Sequence, residues 1–174
     1  FTAAYRKRQW DGTQKFVSDK GEFLTGLLPQ VIKWLEGEGY DIKIVDNREE
    51  MESPVPVKTL PNNTELREYQ YRGLKKTFKN KVHGIPFKRG IWNFATNAGK
   101  TLMAAGLFES FGKDYPVLLI LNRKHIYEQT IADLSQLFPS YIGYVGPNGQ
   151  KWNTFNIVMA QTLARNIHKY EKAL

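Results

Sequence analysis

The stretch "WNFATNAGKTLMAAGLF", residues 92–108, decides how the chain folds. Its opening residues alternate apolar and polar, as in a strand. Gly99, Lys100 and Thr101 then form a turn, and an alanine-rich helical segment follows. Phosphate-binding loops have this strand-turn-helix form, usually written G-x-x-x-x-G-K-[ST]. Here the first glycine position holds Phe94, and a second position, often glycine, holds Asn97. Asparagine is among the few non-glycine residues that tolerate positive φ, so Asn97 can make the turn. Phe94 falls at the end of the strand, where backbone pairing matters more than the absence of a side chain. A bare glycine-lysine-serine/threonine triplet arises by chance in roughly one chain in ten, and a strand before it with a helix after it removes most of those.

Such a loop binds triphosphate by three means. Backbone N–H groups converge from a tight turn, a helix N-terminus adds partial positive charge, and a lysine bridges the outer phosphates while a hydroxyl meets Mg²⁺. Gly99, Lys100 and Thr101 supply these in order, with Thr101 as the Mg²⁺ ligand.

Downstream, apolar runs and helical periods alternate. "VLLILN" at 117–122 reads as a strand buried on both faces. Residues 124–137 read as a helix with Ile126, Ile131, Leu134 and Leu137 inward, "YIGYV" and "NIVMA" as two further strands, and "QTLARNIHKYEKAL" as a closing helix. Upstream, "NNTELREYQYRGLKKTFKN" is a basic helix with Asn63 or Thr64 as its cap, and "GIWNFA" is the strand into the loop. Strands separated by helices imply βαβ units and a parallel sheet.

The N-terminal part is different. "AAYRKRQW" is strand-like, "KFVS-DKGE-FLTG" reads as a hairpin, and Leu24, Leu27, Leu28, Val31, Ile32 and Leu35 follow helical spacing. Gly37 and Gly39 end that helix, and "YDIKIV" alternates again. Three prolines between residues 51 and 63 make a poor helix and a poor central strand. The expected organisation is therefore a small α+β unit over 1–50, a linker over 51–63, and an α/β unit over 64–174.

Composition narrows the chemistry. The chain has no cysteine and three histidines at no ligand spacing, which excludes disulfides and makes a structural zinc site untenable. No apolar run is long enough to cross a membrane. The net charge of +8 is unevenly placed. Residues 1–58 carry 9 basic and 10 acidic side chains, whereas 59–174 carry 16 and 7, so the second part is the one that attracts polyanions. In the first part, Arg6, Lys7 and Arg8 stand beside Tyr5 and Trp10, a mixture suited to nucleic-acid backbone and bases. Trp34 and Trp92 read as packing residues.

Four segments, in order, carry a family resemblance. "LREYQ" at 66–70 resembles the L-R-x-Y-Q element of superfamily 2 helicases, "FATNAGKT" their motif I, "LLILNRKHIYEQT" at 118–130 their motif Ia, and "IVMAQTLAR" at 157–165 their motif Ic region. "WDGTQKFVSDKGEFLTGLLPQVIKWLEGEGYDIKIVD" resembles the small N-terminal domain of UvsW-like phage helicases. The resemblance implies a partial RecA-like domain, ATP and Mg²⁺ as cofactors, and forked, junction or single-stranded DNA as partner, in the cytoplasm (the host's, for a phage protein). It also implies roles. Gln70 would hold adenine with Arg67 nearby. Thr96, Asn97, Ala98, Gly99, Lys100, Thr101 and Leu102 would enclose the phosphates, with Lys100 and Thr101 as the catalytic pair. Asn122, Arg123, Lys124, Gln161 and Thr162 would meet nucleic acid. Asn122 and Arg123 replace the family's usual proline-threonine.

The family's D-E-x-H Walker B element does not occur in the sequence. The chain is therefore expected to be an N-terminal piece that binds nucleotide weakly and does not turn it over. The competing readings are a nucleotide-independent DNA-binding module with a degenerate loop, and a fragment of a restriction-enzyme motor subunit.

Overall fold

The computed structural model describes residues 13, 15–48, 54–86, 89–113 and 115–170. The chain divides into two compact units, one formed by residues 1–48 with 81–90 and the other by 49–80 with 91–174. Among the described residues no helix is long and apolar enough to cross a membrane.

In the first unit an isolated antiparallel bridge joins Val17 to Phe23 around a turn at Asp19 and Lys20. A short 3-10 turn, Thr25–Leu27, leads into helix α1, Leu28–Gly37, whose Pro29 sits in the first turn. Pro is tolerated there because its missing N–H would have no helical partner anyway. On α1 Ile32 is buried, and Leu28, Val31 and Leu35 are half-buried around it. Leu24 and Trp34 were expected to pack, but they are 77% and 61% exposed. Leu24 precedes the helix, and Trp34 lies off the stripe set by Ile32. "YDIKIV" joins no ladder among the described residues. A hairpin that the sequence reading missed, β1 (Lys81–Val82) with β2 (Ile85–Pro86), turns on His83 and Gly84, both at positive φ. Arg48 ties this unit together: its guanidinium donates to both oxygens of Asp46, at 2.8 and 2.6 Å, and to the Pro86 carbonyl at 2.9 Å. These bonds hold the Asp46 carboxyl well below the usual carboxylate range.

The second unit is built on a four-stranded sheet. Its strands are β3 (Val117–Leu121), β4 (Ile142–Gly146), β5 (Gly149–Lys151) and β6 (Phe155–Met159), in spatial order β3-β6-β4-β5. The β3-β6 and β6-β4 pairs are parallel, and β5 adds antiparallel to β4. The β5 strand was missed because "GQK" has no apolar signal, its pattern being exposed throughout. β6 is central and wholly buried. β3 is an edge strand, so the expectation that it is buried on both faces is corrected: Leu118 and Ile120 are 39% and 51% exposed.

Four helices flank the sheet: α2 (Glu68–Lys79), α3 (Lys100–Phe111), α4 (Lys124–Leu137) and α5 (Ala160–Tyr170). The cap of α2 falls three or four residues later than expected. Leu60 and Leu66 are both buried, and Thr59 bridges Glu65 in antiparallel register, which folds 59–65 into a tight turn outside the helix. Asn63 turns this segment at φ 61°, and Arg67 is the residue that caps the helix. α4 spans its expected residues, but Ile126 is 39% exposed and Tyr127 takes the inward position instead. Burial of the Tyr127 ring pushes its phenol up. The core clusters Phe108 with Phe138 and Phe155, ring centroids 5.1 and 4.8 Å apart, between α3, α4 and the sheet. Trp92 packs as expected and donates Nε1–H to Thr77 Oγ1 at 2.9 Å. "GIWNFA" forms no ladder among the described residues, although its burial alternates as a strand's would.

Gly143, on β4, is constrained by backbone. A Cβ there would meet Lys151 O at 2.6 Å and Asn153 N at 2.7 Å, neither of which can swing aside. Gly143→Ala is expected to destabilise the second unit by about 3 kcal/mol, read as a fall in the denaturant midpoint with unchanged slope.

Candidate functional site

The loop at 95–99 is a tight turn closed by Ala98 N–H on Ala95 O at 3.3 Å. Asn97 has φ 62° and Gly99 has φ 73°, so two left-handed residues stand on either side of Ala98. That is the backbone expected of Asn97 from its chemistry alone. Gly99 is the N-cap of α3, and the first helical bond runs from Met103 N–H to Gly99 O at 3.1 Å. The N–H groups of Lys100, Thr101 and Leu102 therefore precede the helical ladder and project from the helix end. Aligned peptide dipoles place roughly half a positive charge there.

Lys100 is exposed, and its ammonium donates to Ala95 O at 2.7 Å, folding back over its own loop. Beside the loop lies a cavity of about 560 Å³, lined by Thr96, Asn97, Gly99, Lys100, Thr101 and Leu102 on one side. Ile126, Gln129, Thr130 and Asp133 of α4 line the other side, together with Asn62. A triphosphate fits this donor set. Backbone N–H groups, one ammonium and one hydroxyl face a volume within the range of small-molecule sites. Mg²⁺ needs only one or two protein oxygens when phosphates supply the rest, and Thr101 Oγ1 is the oxygen on the first turn of α3. Among the described residues no cluster of three or more metal-binding side chains exists, so a metal here would depend on the nucleotide.

Gln70 and Tyr69 connect α2 to the loop. Gln70 is 1% exposed; its Oε1 accepts the Arg67 N–H at 2.8 Å, and its Nε2 donates to Ala98 O at 2.8 Å. Its own N–H donates to Arg67 O at 2.9 Å, so Gln70 and the cap residue satisfy each other reciprocally. The Tyr69 hydroxyl donates to the same Ala98 carbonyl at 2.9 Å, and its ring lies 5.9 Å from that of Phe94. Sequence reasoning gave Tyr69 no role. Its position beside Gln70 in "LREYQ" was the available signal. Asn62, Gln129, Thr130 and Asp133 were also missed, and for the last three the only signal was their i, i+1, i+4 spacing on one face of α4.

A second region gathers the candidate nucleic-acid residues. Leu121 and Met159 are register partners at the ends of parallel strands β3 and β6, so the segments after them emerge side by side. Asn122, Arg123 and Lys124 are exposed on one, Gln161 and Thr162 begin α5 on the other, and Gln161 Nε2–H donates to Asn122 O at 2.9 Å. The N-termini of α4 and α5 open at this same edge. Lys124 also lies 3.7 Å from Glu128 one turn on. Arg6, Lys7 and Arg8 lie outside the described residues.

No curated protein shows significant similarity to the chain. Among solved structures, the chain is similar to one described as the crystal structure of T4 UvsW, with a TM-score of 0.70 and 21% identity. The match covers 95% of this chain and 36% of that one, so the chain spans about a third of its length. The fold class is thus the one expected, mixed α/β with a partial RecA-like sheet, and the resemblance to UvsW-like superfamily 2 helicases is borne out. The family described as type III restriction enzyme, res subunit, matches residues 63–174 and takes in all four motif segments. With well over half of its length inside that match, the chain belongs to the type III restriction enzyme res-subunit family.

Proposed function

We propose that this chain carries the ATP-binding half-site of a superfamily 2 DNA translocase that unwinds or branch-migrates forked and junction DNA in the cytoplasm. One observation carries the reading: two left-handed residues, Asn97 and Gly99, hold the end of α3 open beside a cavity, with Lys100 and Thr101 next in sequence. In such a site the backbone N–H groups and Lys100 would bind the β- and γ-phosphates, and Thr101 would hold Mg²⁺. When bound, the magnesium nucleotide supplies the phosphoryl group whose transfer drives movement. The chain's own contribution is to position that group, exclude water on the α4 side and offer DNA a basic edge after β3 and β6.

The reading is tested by calorimetric titration of the 174-residue chain with a non-hydrolysable ATP analogue and Mg²⁺. The expected result is saturable one-to-one binding in the range of roughly 10 µM to 1 mM, typical of nucleotide enzymes. Absence of binding at millimolar analogue would favour a nucleotide-independent DNA-binding module. Steady-state hydrolysis by the chain is expected to be undetectable, since the sequence holds no D-E-x-H element to position the metal and the attacking water.

The DNA edge gives a separate prediction. Arg123→Ala with Lys124→Ala is expected to weaken binding of a forked duplex and to lower the log-log salt slope by about two, one per lost phosphate contact. An unchanged slope would remove this edge from the interface. The fold match reaches the first unit as well as the motor motifs, which supports the UvsW-like reading over a restriction-enzyme motor subunit.

A further inference from the structure

We propose that Thr130 on α4 is a further phosphate-binding residue, donating its hydroxyl to the triphosphate from the cavity wall that faces the end of α3. The proposal rests on the nucleotide reading of that cavity. It starts from a polar residue in an apolar place. The buried positions of α4 are Tyr127, Thr130 and Leu134, so the middle of the inward stripe is a hydroxyl. Thr130 is 4% exposed. Helical threonines and serines can settle such a hydroxyl on the carbonyl one turn back. Thr77 does so on Gly73 O at 3.0 Å, and Ser110 does so on Gly106 O. The Thr130 hydroxyl meets no hydrogen-bond partner among the described residues. Gln70, Ser110 and Asn156, the other buried polar side chains described, are all hydrogen-bonded.

A desolvated hydroxyl without a partner costs stability, and a valine of the same shape would fill the position without that cost. The Thr130 hydroxyl is not sealed in, however. Among the described residues, Glu109 Oε2 is the only enclosed side-chain oxygen left without a partner. Thr130 lines the cavity beside the phosphate loop, and that cavity is where its hydroxyl finds a partner. The rest of the lining says what the partner is. The facing wall presents the end of α3, Lys100 and Thr101, a donor set for an anion. On the α4 wall Ile126 and Leu137 are apolar, while Gln129, Asp133 and Gln136 are exposed, and the Asp133 carboxylate keeps its charge in water. Thr130 is thus the one donor on that wall held in place by burial. A hydroxyl that donates to a phosphate oxygen makes a charge-assisted bond, stronger than a neutral one.

The test is calorimetric titration of the 174-residue chain as wild type, Thr130→Val and Thr130→Ser. The ligands are a non-hydrolysable ATP analogue and inorganic tripolyphosphate, each with Mg²⁺, and thermal denaturation is measured without ligand. Thr130→Val is expected to bind both ligands about tenfold more weakly, because a hydrogen bond to a charged group is lost. Its melting midpoint is expected to equal or exceed that of wild type, because nothing in the free protein uses the hydroxyl. Thr130→Ser, which keeps the hydroxyl, is expected to hold both affinities within about threefold of wild type. Thr130→Val binding both ligands as wild type does would overturn the proposal and leave the nucleotide reading standing. A melting midpoint lowered in Thr130→Val and restored in Thr130→Ser would make the hydroxyl a structural bond, which also overturns it. A loss confined to the ATP analogue would move the contact to the nucleoside and overturn the phosphate assignment. Failure of the wild type to bind either ligand would overturn the nucleotide reading, and this proposal with it.

Discussion

Lys100→Ala is expected to lower the affinity of the chain for a magnesium-ATP analogue by at least tenfold while leaving its folding stability within about 0.5 kcal/mol of wild type. The two halves of this expectation come from the same geometry. Lys100 is exposed, on the first turn of α3, and its one recorded hydrogen bond is to Ala95 O at 2.7 Å. Among the described residues no carboxylate pairs with it. Losing the ammonium frees an exposed carbonyl that water can satisfy, and alanine is the better helix former at that position. The folded state therefore loses little. The bound state loses a charge-assisted hydrogen bond to phosphate, worth about 1.5 to 3 kcal/mol, or roughly ten- to 150-fold in affinity. Calorimetry measures the binding and thermal denaturation the stability. Equal affinity in wild type and variant, with both folded, would place the triphosphate somewhere other than this loop. A Lys100→Arg protein should recover part of the affinity, since it keeps the charge but cannot match the compact ammonium at the loop.

Most of the second unit was legible because its signals are local. Helices α3 and α4 start and stop where period and composition change, and the β-branched and leucine-rich runs marked β3, β4 and β6 correctly. Misreadings occurred where a neighbour decided the outcome. "VLLIL" is as apolar as a central strand, but burial on its second face depends on what covers it, and among the described residues β3 lies at the sheet edge, paired with β6 alone. Asn63 and Thr64 are good cap residues by type. The buried pair Leu60 and Leu66 and the Thr59–Glu65 bridge nonetheless hold that segment in a turn outside the helix, so Arg67 becomes the cap. Trp34 looked like packing because tryptophan usually is, yet the α1 stripe is set by Ile32 and its helical neighbours and excludes it. At the site, Asn97 was readable from its tolerance of positive φ. The double grip on Ala98 O was not, because it joins residues 28 and 29 positions apart and depends on how α2 docks. The sequence reading of 92–108 as a phosphate loop could not show that the Gln70 amide donates to the loop carbonyl of Ala98.

Gly99→Ala should be the most damaging single change in the loop, and it separates two reasons for a glycine that usually coincide. The first is backbone conformation. Gly99 has φ 73° and ψ 43°, and an alanine held in the left-handed region costs about 1 to 2 kcal/mol. The second is space: a Cβ at this position would fall on the Gln70 amide nitrogen, with Leu102 Cδ1 at 3.7 Å beyond it. Gln70 would have to move, and with it the bond to Ala98 O and the reciprocal cap of α2. Together these predict a loss of about 3 kcal/mol in unfolding free energy and no measurable nucleotide binding. Asn97→Ala shares only the first reason, because Asn97 is exposed; it should cost about 1 kcal/mol, and Asn97→Gly should be neutral or slightly stabilising. The two reasons can be separated by a double-mutant cycle. Adding Gln70→Ala to Gly99→Ala empties the space the methyl needs, so the pair should be less destabilised than the sum of the single changes, by about 1 kcal/mol or more. Strict additivity would mean that the methyl never meets the amide, and that only backbone strain makes glycine necessary at this position.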